Sequence, residues 1–78
     1  MKNKRKIINK YLSQFETMDT GNVVSYYDAA NSRMVFIWYK KDDKYLQGPP
    51  DFKFYSLKQM CAHVIRLMKI KVFWWLYE

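Results

Sequence analysis

Arg33-Met34-Val35-Phe36-Ile37-Trp38-Tyr39 is the stretch whose reading decides the fold. β-Branched and aromatic residues dominate it, which predicts a strand. Alternate residues of a strand point to opposite faces, and a strand with one wet face shows one polar side. Neither side is polar here. Met34, Phe36 and Trp38 fall on one face, and Val35, Ile37 and Tyr39 on the other. Such a strand belongs near the middle of a sheet that is apolar on both faces.

Upstream, Val23-Val24-Ser25-Tyr26-Tyr27 has the same character, so residues 22–28 and 33–40 read as a β-hairpin. Ala29-Ala30-Asn31-Ser32 connects the arms, with Asn31 suited to a left-handed turn position. Downstream, Lys41-Asp42-Asp43-Lys44 is a polar turn, and Tyr45-Leu46-Gln47 starts a short third strand before Gly48-Pro49-Pro50 breaks regular structure. Phe52 to Tyr55 reads as an extended lead into a helix.

The flanks are helical. In residues 5–17, Ile7, Ile8, Tyr11, Leu12 and Phe15 share one arc, and Met18 continues it; Lys2, Lys6 and Lys10 recur on the opposite side. Asp19-Thr20-Gly21-Asn22 stops this helix, Gly21 being free to take positive φ. In residues 57–69, Leu57, Met60, Cys61, Val64, Leu67 and Met68 form the apolar arc, and Ser56 with Gln59 fits a capping box. At Lys71 a charge would enter that arc, so Ile70 to Tyr77 reads as a final strand. Its two faces would carry Val72, Trp74 and Leu76, and Phe73, Trp75 and Tyr77. The expected architecture is a single α+β domain spanning residues 1–78, in the order α-β-β-(β)-α-β. Two helices pack on one face of a three- or four-stranded, mostly antiparallel sheet.

Two helices of about a dozen residues cover one face of a small sheet. The segment Tyr45 to Tyr55, bringing Tyr45, Leu46, Phe52, Phe54 and Tyr55, is what remains to wrap over the other. If it does not, an aromatic surface faces water, and large exposed apolar patches mark interaction sites.

Charge is segregated along the chain. The net formal charge is +7 over 78 residues. Residues 1–10 hold Lys2, Lys4, Arg5, Lys6 and Lys10 and no acid, and residues 53–78 hold five bases and Glu78, while the middle is mildly acidic. If the two ends meet in space they make a basic surface.

Chemistry at a catalytic centre is not expected. His63 is the sole histidine, and Cys61, two residues earlier on the same helix, projects about 200° away. Cys61 lies on the apolar arc and reads as a core residue. Asp42 and Asp43 read as a solvated turn, and two adjacent carboxylates alone make a poor metal site. With Gly21 and Gly48 as the only glycines, there is no phosphate-cradling loop. No cofactor, metal or small-molecule substrate is expected. A single cysteine allows no internal disulfide, and the charged start MKNKRKIINKYL leads into no apolar signal core, so the expected location is the cytoplasm.

These features predict a non-enzymatic binding protein. The first expectation is nucleic acid, RNA or single strands favoured. Lys2, Arg5, Lys6, Lys10, Lys40, Lys41, Lys69 and Lys71 would meet phosphate, and Trp38, Tyr39 and Trp75 would stack on bases. The alternative is a protein-binding inhibitor or adaptor, as small phage and mobile-element proteins directed at a host protein are. Its interface, to a partner or to a second copy, would be anchored by Trp38, Tyr39, Trp74, Trp75 and Tyr77.

Overall fold

A computed structural model describes residues 4–77, with side chains placed through residue 68. The elements are α1 (Lys4–Leu12), β1 (Glu16–Asp19), β2 (Val23–Asp28), β3 (Arg33–Tyr39), β4 (Lys44–Gln47), β5 (Phe54–Ser56) and α2 (Leu57–Tyr77). The strands make one sheet in chain order, each antiparallel to the next. The small α+β class is as expected, with five strands where three or four were expected.

Three local expectations are corrected. First, the opening helix ends at Leu12 rather than near residue 17. The Ser13 hydroxyl donates to the Lys10 carbonyl and the Gln14 amide to that of Tyr11, occupying end carbonyls with side chains. Glu16–Asp19 then pairs with the free edge of β2, so Met18 belongs to a strand and not to the helical arc. Asp19-Thr20-Gly21-Asn22 is accordingly a hairpin turn, with Gly21 at φ +93° and its N–H bonded to Asp19 Oδ1 at 2.8 Å. Second, the left-handed residue of the β2–β3 turn is Ser32, at φ 51°, rather than Asn31. Third, residues 70–77 continue α2 instead of forming a strand. No glycine or proline interrupts the chain after Ser56. Continuing the helix satisfies each backbone group locally, whereas a return to the sheet needs a turn; strand propensity is too weak to decide otherwise.

The capping box forms as read. The Ser56 N–H donates to Gln59 Oε1 at 2.9 Å, and the Gln59 N–H to Ser56 Oγ at 3.2 Å. Above it, Met60, Cys61 and Val64 of α2 meet Ile8 and Leu12 of α1 over Val24, Tyr26, Phe36, Tyr45 and Tyr55 of the sheet. Both helices therefore lie on one face.

A β-bulge also corrects the expected faces of Met34 and Val35. Tyr26 pairs with Phe36 but Tyr27 pairs with Met34, leaving Val35 as the extra residue. Val35 turns toward the core, and Met34 crosses to the opposite face with Ile37 and Tyr39. The Gly48 N–H donates to the Val35 carbonyl at 2.8 Å, and a Cβ at Gly48 would collide with the Met34 carbonyl. A side chain at residue 48 is thus incompatible with the bulge as it stands.

α1 is tied to the sheet by one polar cluster. Arg5 donates to both carboxylate oxygens of Asp43 at 2.7 Å and to the Tyr45 hydroxyl at 2.8 Å. Its guanidinium lies 4.8 Å from the centre of the Trp38 ring, whose N–H donates to Asp43 Oδ1 at 3.0 Å. Burial pushes the Tyr45 phenol up to about 12, so it stays protonated as an acceptor for Arg5. The hydrogen bonds from Arg5, then that from Trp38, hold the Asp43 carboxyl below its usual range. A depressed carboxylate stabilises the fold above its unfolded value, here 3.8, and loses that contribution as pH falls through the folded value. We therefore expect Asp43→Asn to cost about 1 kcal/mol at neutral pH, the pair being partly exposed, and almost nothing near pH 2. Asp42→Asn should change stability by less than about 0.5 kcal/mol at either pH. Urea titrations at the two pH values check both.

Candidate functional site

Two surfaces of opposite character result. On the sheet face away from the helices, register places Met18, Ser25, Ile37, Leu46 and Phe54 in one row across all five strands. A second row holds Glu16, Tyr27 and Met34, and a third Val23, Tyr39 and Lys44. The segment Tyr45 to Tyr55, the one available to cover this face, instead supplies β4 and β5 and widens the sheet. Met18 is 67% exposed, Phe54 55% and Tyr27 40%. Glu16, Thr17, Met18, Ser25, Tyr27 and Met34 line an open hollow there. Tyr39 packs against Phe54 at a ring separation of 6.0 Å.

The helix layer is the reverse. α1 and α2 carry Lys4, Arg5, Lys6, Lys10, Lys58, Arg66, Lys69 and Lys71, and no acidic residue. Lys6 and Lys10 stand exposed one turn apart on α1, and Lys58 and Arg66 are exposed on α2. α1 packs on α2 through Ile8, Leu12, Met60, Cys61 and Val64, which brings two basic segments of the sequence into one layer.

The expected phosphate and stacking residues are divided by this arrangement. Lys6 and Lys10 lie on the helix layer, and exposed Lys41 lies in the β3–β4 turn. Arg5 is engaged in the Asp43 cluster, and Lys40 is bound to both oxygens of Asp19 at 2.9 Å. Trp38 and Tyr39 do not form one platform: Trp38 faces the helices, stacked on Tyr45 at 6.0 Å, whereas Tyr39 is on the open face. Lys2 lies outside the described residues. Lys69, Lys71, Trp74, Trp75 and Tyr77 fall on the α2 backbone, and their side chains lie outside the described ones.

The open-face residues Met18, Tyr27, Met34, Lys44 and Phe54 were absent from the sequence-predicted site. Lys44, Leu46 and Phe54 join the face of Ile37 and Tyr39 only through the register of β3 with β4 and of β4 with β5, which alternation along the chain does not supply; Met34 needs the bulge and Met18 needs β1. Lys58 and Arg66 were missed too, although the lack of acids in both helical segments was a readable signal.

Cys61 is buried, as expected of a core residue. His63 lies parallel to the Tyr55 ring at 5.0 Å and edge-on to Phe36 at 6.2 Å. Among the described residues, no three His, Cys, Asp or Glu side chains converge on a metal-sized site, and no helix is long and apolar enough to cross a membrane. Comparison with protein-family models, curated proteins and solved structures finds no match to the chain.

Burial, reinforced by the charges of Arg66 and Lys53, holds His63 below its ordinary value of 6.5. A histidine kept neutral by folding contributes stability above the unfolded value that is lost as pH falls through it and below. With no other histidine in the chain, the urea midpoint should drop between about pH 7.5 and pH 5.5. His63→Phe, which keeps the ring stack, should flatten that drop; an unchanged drop would assign it elsewhere.

Proposed function

We propose that the protein is a non-enzymatic nucleic-acid-binding module that grips the phosphate backbone through its helix layer. The observation that carries this reading is the complete absence of Asp and Glu from α1 and α2 beside eight bases. Solvated helices ordinarily mix signs, because i, i+4 pairs of opposite charge support a helix and like charges oppose it. Here Lys6 and Lys10 repel each other at that spacing with no acid on either helix to offset them. Arg5 is taken up by Asp43, and the exposed Lys6, Lys10, Lys58 and Arg66 are the charges that attract a polyanion. Phosphate contacts position a protein without reading bases.

Of the three expected stacking residues, Tyr39 is on the far face and Trp38 is held under Arg5, while the side chain of Trp75 on α2 lies outside the described ones. Phosphate contacts alone therefore carry the proposal, with no preference between single strands and duplex.

The test is fluorescence anisotropy with a mixed-sequence single-stranded RNA and a duplex DNA, titrated between about 50 and 200 mM salt. Binding should weaken steeply with salt on both. Lys6→Glu/Lys10→Glu should weaken it at least about tenfold and equally across sequences. Neutralising the same pair as Lys6→Gln/Lys10→Gln should lower the salt slope on duplex by about two. Tyr39→Ala should leave affinity unchanged. No binding at about 50 mM salt, or a sequence-selective loss, would contradict the proposal.

A further inference from the structure

The open sheet face is independent of the helix layer, and its pattern is self-complementary. Among the strand residues directed to it, Glu16 and Lys44 are the only charged ones; Asp19, Asp28 and Arg33 pair in register with the opposite face. Glu16 stands at one corner, on β1 in the row of Tyr27 and Met34. Lys44 stands in the far row, on β4 beside Val23 and Tyr39, with Ser56 of the edge strand β5 beyond it. Both are exposed. Three strand spacings separate them across the sheet, roughly 14 Å, and four residues separate their rows along it, roughly 13 Å. The two offsets are nearly equal. The in-plane twofold axis that bisects the line from Glu16 to Lys44 carries Glu16 of one copy onto Lys44 of the other, twice over, and the near-equal offsets set the strands of the two copies close to a right angle.

We propose that a second copy of this chain occupies the open face, the two sheets packing face to face with strands crossing near a right angle, one of the two standard geometries of sheet packing. The occupant is argued from this charge complementarity and from shape. Under the same axis, exposed Met18 falls between Val23 and Tyr39 of the other copy. Ser25, the one small residue of the central row, comes beside the axis and leaves room for the other copy's Ile37. A twofold interface is isologous, so each contact is made twice. The face spans roughly 24 by 17 Å, so two copies bury less than the roughly 1,000 Å² of a stable specific interface, and the dimer is weak and concentration-dependent. The helix layers remain outside, and the dimer does not depend on the proposed nucleic-acid binding.

Sedimentation velocity of the full chain from about 5 to 500 µM should show a reversible monomer–dimer equilibrium. Glu16→Lys and Lys44→Glu each convert two attractions into two repulsions. Each should weaken the dimer about tenfold or more while leaving circular dichroism unchanged. An equimolar mixture of the two variants restores opposite charges at both contacts and should dimerise like the unaltered chain. A chain that stays monomeric at about 500 µM would assign the face to another partner and overturn the proposal. So would variants that dimerise normally, or a mixture no tighter than either variant alone.

Discussion

An apolar side chain on a strand is hidden only by something laid across it, and this chain has two helices for a sheet of five strands. Both go to the same face. The arc of Ile8 and Leu12 and the arc of Met60, Cys61 and Val64 close on each other as well as on Phe36 and Tyr45, so separating the helices would expose both arcs to water. The Arg5 cluster fixes that choice by joining α1 to the β3–β4 turn through Asp43, to Tyr45 and to the Trp38 ring. The other face is left with partly exposed apolar residues from all five strands. The β1 and β5 edges enlarge it.

The same allocation sorts the charges. Among the described residues the acids are in the strands and the loops joining them, where Asp19, Asp28 and Asp43 bond to Lys40, to Asn31 and to Arg5. The helices hold bases alone. A molecule of this kind has two sides that attract by different physics: a long-ranged, salt-sensitive field on one and a short-ranged, non-directional apolar surface on the other. Separate partners can occupy them, and mutations on one side should leave the other intact.

Much of this was legible in the sequence. The two apolar sides of β3 announced a sheet with more hydrophobic surface than the helices could cover. The capping box of Ser56 and Gln59 located the start of α2 to the residue, because it depends on neighbours three apart. What was hidden depended on distant partners. β1 is four exposed residues whose helical spacing, continued through Met18, was coincidental; pairing with β2 decided it. The bulge at Val35 exchanges the faces of Met34 and Val35, which no alternation rule foresees. The charge-bearing residues divided in the same way. Exposure of Lys6 and Lys10 follows from helical periodicity, whereas the engagement of Arg5 and Lys40 follows from contacts with Asp43 and Asp19 across 38 and 21 residues. The run Val72 to Tyr77 has strong strand propensity, yet its backbone continues α2 because nothing in the sequence turns it.

The central claim is that one face of the sheet is open in the folded monomer. Methyl-labelled methionine NMR in dilute solution, with a soluble paramagnetic agent, tests it most directly. Met18, which is 67% exposed, should relax strongly, while Met60, at 0%, should be protected. Equal protection of Met18 and Met60 would show that face to be covered and would contradict the account.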